Sequence, residues 1–191
     1  MSDLYLSDII FNRKDYTIES LILGEYENCT FDNCNFVEND LSEFKFMNCT
    51  FNSCNLSLVK LNKTVFREIT FKACKMLGLR FENCDDFGLS FSFDDCQLNY
   101  SSFYKTRIKK TTFRNSAMLQ TDFTETDLTS AVFDNCNLEN AVFLQTILEK
   151  ADLRTAYNFS IDPEINRLRK AKFSGLGVQG LLDKYDIEIE L

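Results

Sequence analysis

Large apolar residues recur at every fifth position along most of this chain. In the first half they stand at positions 26, 31, 36, 41, 46, 51, 56, 61, 66, 71, 76 and 81. Two positions before most of them is a smaller residue, often Cys. Side chains two apart in an extended chain point to the same side. Both residues of each five-residue unit are therefore predicted to face a common interior, and the remaining residues to turn the chain.

A longer repeat of twenty residues is superimposed on the first. Residues 26–36 and 46–56 are identical at six of eleven aligned positions. Such a short and regular period is typical of a solenoid, so we expect four units to complete one turn. Equivalent residues such as Phe31 and Phe51 would then stack about 4.8 Å apart.

The five-residue register changes once, near the middle of the chain. Later apolar centres fall at five-residue intervals from 93 to 153, which is a phase change of two relative to position 81. Two extra residues are therefore predicted within 84–92, with Gly88 at the turn or bulge. We interpret this segment as a small kink between two stacked halves; the alternative is a protruding contact loop.

The two ends are less regular, and we expect a single domain over 1–191. Its predicted parts are an N-terminal cap or first coil (1–20), coils (21–82), the register break (83–92), further coils (93–157), a loop with a last unit (158–175) and a C-terminal helix and strand (176–191). Apolar residues in this tail follow helical and then alternating spacing. They predict either a cap on the core or the interface of a twofold homodimer. The predicted interface residues are Val178, Leu181, Leu182, Tyr185, Ile187 and Ile189, and Leu191 continues the predicted strand.

Several units carry a family resemblance. Residues 151–153 (Ala-Asp-Leu), 126–128 (Thr-Asp-Leu) and 121–123 (Thr-Asp-Phe) resemble the repeat Ala-(Asp/Asn)-Leu-X-X of the pentapeptide-repeat proteins. The resemblance implies an all-β fold, a right-handed quadrilateral parallel β-helix. We expect about six coils followed by a short C-terminal helix.

The tail narrows this resemblance. Residues 161–167 (Ile-Asp-Pro-Glu-Ile-Asn-Arg) are similar to the end of the microcin B immunity protein and, more loosely, to the Qnr quinolone-resistance proteins. These relatives imply a homodimer joined through the C-terminal helices, which mimics duplex DNA and binds DNA gyrase. The chain lacks the long projecting loops of the Qnr group. The alternative is a structural or scaffolding module that binds another protein.

Charge bears on the choice between these two functions. The net charge of −8 would repel nucleic acid and suits a basic groove on a partner protein. Residues 60–120 are nevertheless basic, with eleven bases against six acids, which suits an acidic partner; no Arg-aromatic stacking pattern points to nucleic acid. The candidate partner-binding acids nearest the predicted dimer centre are Asp122, Asp127, Asp134, Glu139 and Asp152. Their alternative role is an ordinary solvated surface.

The eight cysteines nearly all precede an apolar centre by two residues, so we predict reduced, buried thiols. The alternative is a metal site made by Cys29, Cys34, Cys49 and Cys54, although their spacing is not that of a zinc knuckle.

We expect no enzymatic activity and no cofactor. The chain has no His, which excludes His-dependent triads and bases, and it has no glycine-rich phosphate loop. It also shows no signal peptide and no apolar run of about 20 residues. A cytoplasmic location is therefore expected.

Overall fold

The computed structural model describes residues 4–189, which form a β-solenoid of about seven turns. The strands are β1 (Leu4–Ser7), β2 (Ile10–Asn12), β3 (Gly24–Glu27), β4 (Thr30–Asp32), β5 (Lys45–Met47), β6 (Thr50–Asn52), β7 (Val65–Arg67), β8 (Ile69–Lys72), β9 (Phe91–Asp94), β10 (Thr112–Arg114) and β11 (Val132–Asp134). They pair in parallel in two sheets, ordered β1-β3-β5-β7 and β2-β4-β6-β8-β9-β10-β11. The predicted all-β solenoid is confirmed.

Each turn of the solenoid has four sides, which we number 1 to 4 in chain order and identify by their central residues. Side 1 has Leu6, Tyr26, Phe46, Phe66, Ile108, Leu128, Leu148 and Leu168. Side 2 has Phe11, Phe31, Phe51, Phe71, Phe93, Phe113, Phe133, Leu153 and Phe173. Side 3 has Tyr16, Phe36, Leu56, Met76, Leu98, Met118 and Leu138; side 4 has Leu41, Leu61, Phe81, Phe103, Phe123 and Phe143.

The core is one continuous column of these central residues. Every centre from position 26 to 81 and from 93 to 153 is buried, as the five-residue pattern predicts. On side 2 the rings stack face to face, with centroids 4.8 Å apart for Phe31 and Phe51 and 5.2 Å apart for Phe93 and Phe113. Burial of apolar surface is the main favourable term in such a core, and the stacked rings add to it.

The turns between sides also follow a simple rule. The residue two positions after a centre adopts a left-handed backbone, as at Asn28 and Asn33, both with φ of 53°. Asn tolerates this conformation better than most residues. The Asn33 amide then donates to the Asn52 carbonyl oxygen of the next coil at 2.9 Å. Each turn therefore hydrogen-bonds to its neighbour without a separate loop.

The register break interrupts one side and leaves another continuous. On side 2, Phe71 pairs with Phe93, so the spacing here is 22 residues and the sheet continues. On side 1 the sheet ends at β7. The extra residues lie between Asn83, which accepts from Lys63 at 2.7 Å, and Ser90, which accepts from Ile69 at 3.1 Å.

The bulge at the break is held against the preceding coil. Gly88 has φ of +72°, a conformation that favours glycine. The Arg67 guanidinium lies 5.1 Å from the centroid of the exposed Phe87 ring, and Arg67 Nε donates to the Phe87 carbonyl oxygen at 3.3 Å. These contacts keep the segment close to the coil.

The solenoid is longer than the six coils expected from the sequence. At the N-terminus β1 pairs with β3 and β2 with β4, forming a first coil. At the other end, Ile147 bridges to Arg167 and Asp152 to Lys172. The twenty-residue register thus continues past Leu153, because the loop that contains Pro163 keeps the spacing between equivalent residues at twenty.

The predicted C-terminal helix and strand are wrong. The structure has two short 3₁₀ helices here, Gly177–Leu181 and Asp183–Tyr185, besides one at Phe81–Asn83. Gly180 packs so closely on the Phe159 carbonyl oxygen that a side chain there would collide with it. Ile187 and Ile189 lie outside any strand, and Leu191 lies outside the described residues. Nowhere in residues 4–189 is there a helix long and apolar enough to cross a bilayer.

Candidate functional site

Most polar side chains that point into the solenoid form hydrogen bonds with the backbone, although Tyr16 Oη and Glu82 Oε2 are buried without a partner among the described residues. Thr126 Oγ1 donates to the carbonyl oxygen of Phe103, the centre of the preceding coil, at 2.7 Å. Cys54 Sγ makes the same contact to Phe31 at 3.2 Å, and Asn166 Nδ2 to Phe143 at 2.9 Å. A buried donor with a partner is a structural group, so these residues offer no obvious chemistry.

All eight cysteines are buried and free in the structure, so their predicted burial is confirmed. Burial raises the pKa of Cys49 and of Cys136 to about 12, so both are protonated near neutral pH and unreactive. The thiols proposed as metal ligands instead donate to main-chain oxygens, as Cys49 does to Tyr26 at 3.3 Å. The described part of the chain holds no group of three or more potential metal ligands.

The structure does not bring the five candidate acids onto one surface. Asp122 lies on side 4 in line with Ser102, and Asp127 on side 1 in line with Arg107. Asp134 and Asp152 both lie on side 2. Glu139 follows Leu138 at the turn after side 3. Only two of the five therefore share a side.

Three of these acids accept hydrogen bonds from the chain two residues ahead. Asp122 accepts from the Thr124 amide at 2.8 Å, Asp127 from the Thr129 amide at 3.1 Å and Asp152 from the Arg154 amide at 3.2 Å. This local bond stabilises a turn. An acid or Asn just before a centre thus has a structural role.

Bases also neutralise several of the acids. Arg154 binds Asp152 through two nitrogens, at 2.9 and 2.7 Å, and the hydrogen bonds to this guanidinium lower the pKa of Asp152. Partial burial opposes ionisation of Asp127, but hydrogen bonds from Thr129 and Lys109 lower its pKa overall. Lys109 Nζ lies 3.1 Å from Asp127 Oδ2.

Ion pairs also link neighbouring coils of the second half. Arg114 lies between Asp94 and Asp134, at 3.9 and 3.5 Å, and Lys105 lies 3.6 Å from Glu125. Acids in this half therefore alternate with bases and do not form an unbroken negative line.

The predicted dimer residues lie together at the C-terminal end. Leu181 packs on the core, whereas Val178, Tyr185, Ile187 and Ile189 are at least 41% exposed. Leu182 is half-buried.

A cluster of charged residues that the sequence did not reveal links the C-terminal segment to the last coil. Lys184 Nζ contacts Asp162 at 2.7 Å and Glu164 at 2.8 Å. Its members are about twenty residues apart in sequence, so no local pattern could have found the cluster.

Comparison with known proteins agrees with this geometry. Residues 89–156 match the family described as Pentapeptide repeat region. Over these residues the repeat of this chain is similar to that of the pentapeptide-repeat proteins. No curated protein matches it in sequence.

Solved structures show that the chain shares its fold with a known pentapeptide-type solenoid. Two trypsin-treated variants of QnrB1, a plasmid-mediated fluoroquinolone resistance protein, match with TM-scores of 0.63 and 0.62 at 16% and 17% identity. The matches cover 97% and 99% of this chain and 100% of each QnrB1 chain. HetL from the cyanobacterium Nostoc sp. strain PCC 7120 matches at a TM-score of only 0.39 and 13% identity, covering 89% of this chain and 87% of HetL.

Proposed function

We propose that this protein is a non-enzymatic pentapeptide-repeat rod that binds another protein. The observation that carries this proposal is the stacking of outward side chains in straight rows, such as Thr30, Thr50 and Thr70. Such rows present an extended surface at strand spacing, about 4.8 Å per coil. The interior is filled with buried side chains, and most of its polar groups are hydrogen-bonded to the backbone, so recognition falls to the outer sides.

The finer proposal is that the partner is DNA gyrase or a related topoisomerase, met in the cytoplasm. It is supported by the likeness in fold to QnrB1 over nearly the whole of both chains and by the net charge of −8. We propose the five acids named above as its contacts. Among them Asp122 and Glu139 have no ion-pair partner within residues 4–189, so these two are best placed to meet a basic groove.

A supercoiling assay tests this partner directly. Purified protein is added to gyrase with and without a fluoroquinolone, beside the variant Asp122→Asn with Glu139→Gln. We expect the protein to inhibit supercoiling or protect it from the drug, and the variant to act more weakly. A matched control, Asp32→Asn with Glu38→Gln, should behave as the unmodified protein. No effect at micromolar protein would contradict the topoisomerase proposal.

A homodimer through the C-terminal end belongs to the same proposal. Val178, Leu182, Tyr185, Ile187 and Ile189 leave apolar surface at this end of the rod, where a second copy could cover it. Leu181 packs on the core, so it would support the interface from within.

Light scattering tests the dimer. Leu182→Asp should give a folded monomer, because a charge in the interface is costly. Ile18→Asp, at an 86% exposed position in the first coil, is the control and should stay dimeric. A dimer that survives Leu182→Asp, or an unmodified protein that is monomeric, would overturn the proposal.

A second candidate is a scaffold for a different protein, and the ion pairing favours it. Asp127, Asp134 and Asp152 are each within 4.0 Å of a base, unlike the free phosphates of DNA. A pull-down from native lysate separates the candidates, because recovery of topoisomerase supports only the first.

A further inference from the structure

Side 1 beyond the register break, together with the turn that follows it, carries a group of basic residues. Arg107 is in line with Asp127, Ile147 and Arg167, and the turn after it stacks on the equivalent turns of the next three coils. We call the following exposed residues the basic face: Arg107, Lys110, Lys150, Arg167, Arg169 and Lys170.

None of the six basic-face residues forms an ion pair with the described residues 4–189, whereas Lys105, Lys109 and Arg114 nearby all do. The acids on this stretch of side 1 are Asp127, which pairs with Lys109, and Glu149. The basic face is thus a concentration of uncompensated positive charge on a chain whose net charge is −8. Such a field favours approach of a negatively charged partner.

Exposed aliphatic residues border the basic face on side 4. Val142, Leu144 and Ile165 are 46%, 45% and 46% exposed. Between the two sides lies an open depression of about 410 Å³, lined by Glu125, Gln145, Ile147, Ile165 and Arg167. Positive charge and aliphatic surface therefore meet along one edge of the rod.

We infer that this edge binds an acidic segment of a partner protein that also carries aliphatic side chains. Carboxylates would pair with the basic face while aliphatic groups enter the depression beside Ile147 and Ile165. A nucleic acid fits less well, because the chain as a whole is negative and none of the residues that line the depression is aromatic. The inference rests on the proposed protein-binding rod but not on topoisomerase as the partner.

Fluorescence anisotropy with a short labelled peptide of alternating Glu and Leu tests the inference. The variant is Lys150→Glu with Arg167→Glu and Lys170→Glu. Its matched control reverses three exposed bases that lie on other sides and also lack ion pairs, Lys60→Glu with Lys72→Glu and Lys75→Glu. Circular dichroism checks that both stay folded. We expect the basic-face variant to bind the peptide roughly tenfold more weakly, about 1.4 kcal/mol, and the control to bind it better than that variant does.

Two further probes decide the class of partner. A labelled peptide of alternating Glu and Gly should bind more weakly than the Glu-Leu peptide, since it cannot fill the depression. Duplex DNA of the same charge should bind more weakly than either. Absence of peptide binding, equal losses in the two triple variants, or tighter binding of DNA would each overturn the inference. None of these results depends on the supercoiling assay, so each proposal can fail separately.

Discussion

The two halves of the solenoid build the same coil with different small residues. In the first half Cys is the commonest residue at the inward position before the centre, at 29, 34, 49, 54 and 74. In the second half it is mostly Thr or Ala, at 121, 126, 131, 141, 146 and 151. All of these residues are buried, and on side 2 the centres stack continuously across the register break. Larger apolar residues such as Phe44 and Leu79 stand at the same position and are also buried, so the position requires a side chain that can be buried and is most often small.

Hydrogen bonding is a second, weaker requirement at this position. Cys54 reaches the carbonyl oxygen of the preceding coil at 3.2 Å, as expected for a weak thiol donor, while the Thr126 hydroxyl does so at 2.7 Å. Ala at 131 or 151 has no donor and is still buried. A hydrogen-bond donor at the inward position is therefore not needed for burial there, and we expect it to affect only the stability of the coil.

The halves also differ outside. Residues 1–59 carry ten acids and three bases, whereas the second half carries the basic face. Both halves have ion pairs between coils, such as Lys45 with Glu25 and Lys105 with Glu125. One rod therefore presents two electrostatically different ends.

Removing a central aromatic ring should lower the stability of the protein the most, and the loss of stability should be similar in the two halves. Phe51 and Phe113 are both fully buried between rings of the coils above and below. We expect Phe51→Ala and Phe113→Ala each to lower the free energy of unfolding by about 3–5 kcal/mol, measured in urea. A loss below about 1 kcal/mol at either site would break the comparison.

High pH should affect the cysteine-rich half next most strongly. Burial raises the pKa of Cys49 to about 12, against about 8.5 for an exposed thiol. The folded state then holds its proton longer than the unfolded state. The contribution of the protonated Cys49 thiol to the free energy of unfolding is present below about pH 8.5. It is lost as pH rises towards 12, at up to about 1.4 kcal/mol per pH unit.

Urea unfolding at pH 8 and at higher pH measures this effect. Cys49→Ser keeps a small donor and removes the titrating group, so its stability should fall less steeply with pH. Parallel curves for the two proteins would show that Cys49 does not contribute.

The inward hydroxyl should make a smaller contribution. Thr126→Val leaves the Phe103 carbonyl oxygen without this donor, at a cost of about 1 kcal/mol. Thr126→Cys replaces the hydroxyl donor with the thiol donor that is common in the first half, so it should lower the free energy of unfolding less than Thr126→Val does. The half-exposed Thr124→Val is the control. Equal effects for the valine and cysteine variants would remove the role we give to the donor.

The surface ion pairs should matter least. Asp40 and Asp127 each accept from an amide two residues ahead, at 3.0 and 3.1 Å, but only Asp127 has a base within 4.0 Å. We expect Asp127→Asn to cost up to about 1 kcal/mol more than Asp40→Asn. That difference should vanish in molar salt, and a larger loss for Asp40→Asn would reverse the assignment.

Much of the fold could be predicted because the repeat is local. Phe31, Phe51 and Phe71 follow one another at a constant interval, and a chain that turns after each unit can bury them only in one column. The phase change between Phe81 and Phe93 likewise locates the inserted residues. The C-terminal tail was predicted wrongly because Val178, Leu181 and Leu182 have helical spacing, while the contact of Gly180 with Phe159 is not visible in the sequence.

The candidate surfaces were harder to predict. Asp122 and Asp127 look equivalent along the chain, yet they lie on adjacent sides of the rod and only the second meets a base. The basic face escaped notice because Arg107, Lys150 and Arg167 are separated by many residues and come together only when the coils stack.

The sequence by itself determined the coil, its interior and its register, since burying an apolar side chain every fifth residue admits one regular winding. Tertiary structure alone decided which charges neutralise one another and which remain free. The physical reason is that ion pairing depends on distances between coils, which a linear list of residues does not contain.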